Sequence, residues 1–277
     1  MSASATVATA RDYYNSEDAD AFYAKVWGGE DIHIGLYEAM DEPIADASRR
    51  TVDRMVSKLG PLGHDTRVLD LGSGYCGAAR VLASSLQCEV VALNLAEVEN
   101  TRARELNAAA GLADRITVVD GSFESIDQPD GSFDVVWSQD AILHSGNRAK
   151  VMAEIARVLA PGGQLVFTDP MQSDSCPPHA LQPILDRIHL TDLGSPKFYR
   201  EQASKHGLEE VSFELLTKQL VTHYTRVLHE TERRHGELAA DISDEYLDRM
   251  KAGLRHWIDG GAKSHLVWGI FHFRRPG

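Results

Sequence analysis

Cysteine is scarce in this chain: three in 277 residues, Cys76, Cys88 and Cys176, with no Cys-x-x-Cys pair. An odd, widely spaced set argues against both a disulfide framework and a zinc knuckle. Basic residues are outnumbered, 28 Lys and Arg against 41 Asp and Glu, and the net charge is −13. No Lys/Arg run exceeds a pair. Such a surface repels nucleic-acid phosphates and anionic lipid, so neither is an expected partner. The acid excess also suits a protein kept soluble in salt. No stretch approaches the ~20 apolar residues of a membrane span. Met1 to Ala10 is small and polar without an apolar segment, so no signal peptide is expected there. Together these absences lead to the expectation of a soluble, reducing, cytoplasmic setting. What is present is ordinary globular material, 43% hydrophobic and 25% charged. At roughly 150 residues per domain, the length suits one large domain or two small ones, with a full core.

The pattern along the chain predicts five units: a mobile tail over 1–10, an N-terminal helical cap over 11–59, a core over 60–216, a helical lid over 217–262 and a final strand over 263–277. In the core, short apolar runs alternate with helical spacing. Strands are expected at Arg67–Leu71, Glu89–Leu95, Ile116–Val119, Phe133–Trp137 and Gln164–Thr168. Helices are expected near 77–86, 96–110 and 147–159. Near-continuous apolar strands alternating with helices mean an α/β fold, a doubly wound parallel sheet covered on both faces.

The first strand runs into Gly72-Ser73-Gly74-Tyr75-Cys76-Gly77. Glycines let backbone pass close beneath a ligand, and the following helix presents free N–H groups. Alone, this spacing fits a dinucleotide, another nucleotide or a tight turn. Asp70, two residues before the first glycine, would oppose a pyrophosphate and welcome a cofactor with a cationic amino-acid tail. Asn94 ends the second strand, where a ribose is expected. Gly121-Ser122-Phe123 follows the third strand, and Leu159-Ala160-Pro161-Gly162-Gly163 feeds the fifth.

This combination resembles the class I S-adenosylmethionine-dependent methyltransferases over about Arg67 to Pro170. The resemblance implies a Rossmann-like sheet whose last strand is antiparallel, and S-adenosyl-L-methionine as cofactor. It implies that Gly72, Ser73 and Gly74 cradle the methionine part, with Asp70 orienting its ammonium. Asn94, in place of the usual acid, and Leu95 would meet the ribose; Ser122 and Phe123 would meet the adenine. Phe123 reads equally as core.

A closer resemblance spans nearly the whole chain. Tyr13-Tyr14-Asn15, Val26 to Tyr37, Trp137 to Ser145, Thr168 to Met171, Gln182 to Ile188 and His256 to Gly261 are similar to the sarcosine/dimethylglycine N-methyltransferases, which make glycine betaine. It implies small-molecule amine substrates and adds Trp27, His33, Glu99 and Gln139 to the expected cofactor contacts. That family usually has Gln where this chain has Glu99.

Methyl transfer needs no metal; it needs an aligned, deprotonated nucleophile. His144 is the expected base, since histidine titrates near neutrality. The run Asp140 to His144 also resembles the phosphoethanolamine-type methyltransferases, where the matching histidine works with an N-terminal tyrosine, here Tyr14. The substrate carboxylate would take a cation or donor from among Arg187, His189, Tyr199, Arg200, His223, Arg226, Arg255 and His256, with no basis in the sequence for choosing. Trp27, Tyr199, Tyr224 or Trp257 would face a methylated ammonium. A phosphoethanolamine- or tocopherol-type methyltransferase, an NAD(P) oxidoreductase and a non-catalytic cofactor-binding protein are the competing readings.

Overall fold

The sheet is built from short strands, the central ones buried on both faces and those at its two edges largely exposed or half-buried. They are β1 (Arg67–Leu71), β2 (Glu89–Asn94), β3 (Ile116–Asp120), β4 (Phe133–Gln139), β5 (Leu159–Thr168), β7 (Glu209–Leu215) and β9 (Gly269–Arg274). The chain is represented by a computed structural model that describes Arg11, residues 15–27 and residues 30–277. The expected tail, Tyr13, Tyr14 and the Gly28-Gly29 pair lie outside the described residues. The strand order is β3-β2-β1-β4-β5-β9-β7. All neighbours are parallel except β9, which runs antiparallel to both β5 and β7. The sheet is therefore α/β and doubly wound with its last strand reversed, as the sequence predicted.

The order reverses between β1 and β4, and ligands of open α/β sheets bind at such a switch point beyond the strands' carboxyl ends. Register brings Leu71 beside Leu93 and Ser138, Asn94 beside Asp120, and Gln139 beside Thr168. The loops that follow these residues thus open on one edge. Helices α3 (Gly77–Ser85), α4 (Glu97–Ala109), α5 (Arg148–Val158), α6 (Gln182–Ile188) and α7 (Pro196–Lys205) connect the strands. Side-chain caps start two of them: Asn147 accepts from Lys150 N for α5, and Ser195 from Phe198 N for α7.

The N-terminal region holds α1 (Glu17–Phe22), a π-helical turn Tyr23–Trp27, and α2 (Ile44–Val56). Residues 31–37, read as part of a helical cap, form a non-helical strap instead. Its backbone groups are satisfied from outside, which removes the need for helix. Trp27 Nε1 and Ser48 Oγ donate to His33 O, at 3.1 and 3.0 Å. Thr51 Oγ1 donates to Ile34 O at 2.8 Å, and Leu36 N to Ala47 O at 2.9 Å. A Cβ on Gly35 would stand 2.7 Å from Ala47 Cβ, so only glycine lets the strap lie this close to α2.

Residues 217–262 form α8 (Thr217–Arg233), α9 (His235–Leu238) and α10 (Asp244–Ala262). They join Phe22, Trp27 and Ile34 in one apolar cluster, apart from the two clusters on the sheet faces. A strand pair the sequence did not suggest, β6 (Met171–Gln172) with β8 (Leu266–Val267), ties the chain after β5 to the end of α10. Among the described residues no helix is long and apolar enough to cross a membrane.

Candidate active site

Two adjoining hollows open over the β1 turn. Asp70, Gly72, Ser73, Gly74, His33 and Gln139 line the first. Gly72, Gly74, Asn94, Leu95, Glu99, Ser122, Phe123 and Gln139 line the second. Gly72 has φ +72°, and a Cβ there would overlap the Ala141 methyl group. The turn after β1 and the loop after β4 are therefore in contact at a point where only glycine fits.

The end of β2 carries a buried amide–carboxylate pair: Asn94 Nδ2 donates to Glu99 Oε2 at 2.9 Å. Burial pushes the Glu99 carboxyl up to about 7, against the pull of that hydrogen bond. The acid that the strand end lacks is thus supplied from the first turn of α4. Asp70 is likewise raised to about 7, by burial above all, with His33 opposing and Asp31 adding. A cation placed beside Asp70 would restore its charge. Gln139 Oε1 accepts from Trp137 Nε1 at 2.9 Å, while its Nε2 is buried with no partner among the described residues. An orphaned buried donor at the meeting of two hollows calls for a ligand acceptor. These groups fit an amino-acid tail and a ribose. Phe123 packs against the sheet core and also lines the second hollow.

A third cavity lies beneath the strap and the lid helices, lined by Tyr23, Trp27, Ile32, His33, Asp140, Leu143, His144, Arg187, His189, Tyr224, Met250 and Trp257, among others. It shares Asp140 and His144 with the second hollow and Ile32 with both. Trp27, expected both at the cofactor and facing the methylated ammonium, lines this cavity and neither of the two hollows over the β1 turn. Its ring sits 5.1 Å from Tyr23 and 6.4 Å from Tyr224, which stacks on Trp257 at 5.3 Å. Tyr199 lies elsewhere: it is fully buried against the sheet, and its hydroxyl donates to Asp169 Oδ2 at 2.5 Å.

Asp140, which sequence reasoning did not single out, links strap to sheet. Its Oδ2 accepts from Ile34 N at 2.8 Å and its Oδ1 from Trp268 Nε1 at 2.7 Å. Its one visible signal was an acid directly after Gln139 at a strand end. His144 closes a 3-10 turn, Ile142–His144, held by Leu143 N donating to Asp169 Oδ1 at 2.9 Å. Burial, together with the positive charges of Arg148 and Arg187, pushes the His144 imidazole down to about 4. Tyr14, its expected companion, lies outside the described residues.

The eight carboxylate candidates separate. Arg200 pairs with Glu210 at 2.7 Å, Arg226 with Glu230 at 3.5 Å, and Arg255 with Glu232. His223 is fully buried and accepts from Gly35 N at 3.1 Å. His256 is exposed on an outer groove. Arg187 and His189 line the third cavity.

A model of the methyltransferase domain family matches residues 69–167. The chain is 57% identical over 269 residues to the sarcosine/dimethylglycine N-methyltransferase of Halorhodospira halochloris, covering 97% of this chain and 96% of that one. It is 53% identical over 274 residues to the protein of the same name from Aphanothece halophytica, covering 99% of each. A crystal structure from Galdieria sulphuraria, provisionally designated a sarcosine dimethylglycine methyltransferase, superposes with a TM-score of 0.91 at 46% identity, covering 95% of this chain and 99% of that one.

Proposed function

The chain belongs to the sarcosine/dimethylglycine N-methyltransferases, and from that premise we propose that it methylates sarcosine and dimethylglycine with S-adenosyl-L-methionine, giving dimethylglycine and glycine betaine. The observation that carries this reading is the junction of the hollows at Ile32, Asp140 and His144. A methyl group can pass there from the cofactor side to the aromatic side over a short path.

Bound S-adenosylmethionine supplies an electrophilic methyl on a sulfonium. Asp70 and Gln139 Nε2 hold the amino-acid tail, the Asn94–Glu99 pair takes the ribose hydroxyls, and Leu95, Ser122 and Phe123 flank the adenine. Opposite them, the faces of Tyr23, Trp27, Tyr224 and Trp257 attract a methylated ammonium, and the attraction survives as the last N–H is replaced. α8 and α10 act as the lid that keeps water from this cavity. The substrate enters as the free amine, its proton left in solvent. His144 is neutral: it accepts a hydrogen bond from the one N–H that sarcosine then retains, and for dimethylglycine, which then has none, it aligns the nitrogen by contact alone. As a store for the proton it is weak, because an alkylamine titrates near ~10 and the ring near 4. Tyr14 is kept as its partner.

A panel of glycine, sarcosine, dimethylglycine and phosphoethanolamine with labelled S-adenosylmethionine tests the reading. Sarcosine and dimethylglycine should be labelled and phosphoethanolamine should not, because Arg187 is the only Lys or Arg lining the aromatic cavity among the described residues. Preference for phosphoethanolamine would overturn it.

A further inference from the structure

Sarcosine, dimethylglycine and betaine are all amphoteric: each carries a nitrogen that aromatic faces can hold and a carboxylate that they cannot. A buried carboxylate needs a cationic donor that no protein acid has already claimed. Arg187 meets that condition. It lines the aromatic cavity from the last turn of α6, and no carboxylate pairs with it among the described residues. Its guanidinium rests against the Met250 thioether, an acceptor too weak to neutralise it. Its charge reaches the reacting end of the cavity, being one of the two that depress His144.

The helix across from it is shaped for this side chain. Gly253 sits inside α10, where glycine costs about 1 kcal/mol relative to alanine. A Cβ at Gly253 would stand 2.6 Å from Arg187 Cδ, so the guanidinium lies directly over the glycine. Arg187, His189 and Met250 also line an open groove between α6 and α10, with Asp186 and His256. Three acids line this groove: Asp18 accepts from Ser243, Asp186 accepts from Gln182, and Glu17, on α1, forms no ion pair with Arg187.

We infer that Arg187, seated over Gly253 at the passage between the outer groove and the aromatic cavity, is the subsite that binds the substrate's carboxylate and sets the preference for amino acids over other amines. The inference rests on the function proposed above. A carboxylate on the guanidinium places the amine on the aromatic side, one short carbon link away, so the subsite selects α-amino acids by length as well as by charge.

The test compares dimethylglycine with its uncharged isostere N,N-dimethylglycinamide in wild type, Arg187→Met, Arg187→Lys and Gly253→Ala. Arg187→Met keeps the apolar contact with Met250 and removes the charge. It should raise KM for dimethylglycine about 30-fold or more, leave cofactor affinity by calorimetry unchanged, and change the amide's kcat/KM by a far smaller factor. The acid-to-amide ratio then collapses. Arg187→Lys should restore part of it. Gly253→Ala, which displaces the guanidinium without deleting it, should lower the ratio by a smaller factor and serves if Arg187→Met fails to bind cofactor. An unchanged ratio in a cofactor-binding variant overturns the subsite alone. A wild type that methylates neither sarcosine nor dimethylglycine overturns the functional reading and the subsite with it.

Discussion

Burial and the charges of Arg148 and Arg187 hold His144 near 4, far below the ordinary imidazole range. The sign of the consequence is definite. A histidine depressed in this way is neutral at every pH above its folded value, so nothing about it changes between about pH 6 and 9. The wild-type rate on dimethylglycine should therefore rise with pH following the substrate amine, with no limb near 6.5 from His144. His144→Ala should lower kcat on sarcosine, which keeps an N–H for the ring to accept from, by about 10²-fold through lost alignment, with cofactor affinity intact and a pH profile parallel to wild type. A wild-type limb near neutrality that disappears in the variant would restore His144 as a titrating base; equal kcat values would remove it from the site. At this scale the lining of the two hollows over the β1 turn was legible, because Asp70, the glycines, Asn94 and Gln139 all lie at strand ends. Asp140 was not. An acid accepting from a strap more than a hundred residues away leaves no periodic trace.

At the scale of elements, the contact between the turn after β1 and the loop after β4 is a weak point by design. Gly72 needs a positive φ, and its missing Cβ leaves room for Ala141, whose own Cβ cannot swing aside. Gly72→Ala should weaken S-adenosylmethionine binding at least about tenfold and cost roughly 1–3 kcal/mol of stability. Calorimetry and thermal unfolding measure the two. Adding Ala141→Gly should return part of both losses, because it removes the overlap and leaves only the backbone strain. Wild-type affinity in Gly72→Ala would show that the cofactor does not pass under this turn. Strands and helices of the sheet were readable from apolar runs and 3.6-residue spacing. The strap over 31–37 was not, because its hydrogen bonds come from Trp27, Ser48, Thr51 and Asp140 and not from its neighbours in sequence.

Over the whole molecule the acids exceed the bases by 41 − 28 = 13. However the ion pairs are arranged, thirteen negative charges have no basic residue to balance them, and their mutual repulsion opposes the folded state. Salt screens it, the Debye length falling from ~10 Å at 0.1 M to ~3 Å at 1 M. The midpoint of thermal unfolding should therefore climb as NaCl is raised from low ionic strength toward about 1 M. A falling midpoint would mean that local pairs, such as Arg157 with Glu154 and Asp130, outweigh the net repulsion.

Composition and pattern alone determined the class of this protein: strand ends with glycine, acid and amide in a set order make an α/β cofactor edge, because the loops at one end of a parallel sheet must converge. The motifs through the N-terminal, central and lid segments carried the family as well. Tertiary structure decided what stands around the substrate. Of the two places open to Trp27 it took the aromatic cavity, Tyr199 went into the sheet core, and one arginine among eight candidates was left facing the cavity with no acid paired to it among the described residues. These outcomes depend on how α6, α8 and α10 pack against the N-terminal helices. Such packing is set by contacts between residues far apart in the chain, and no local spacing encodes which of several like residues will point inward.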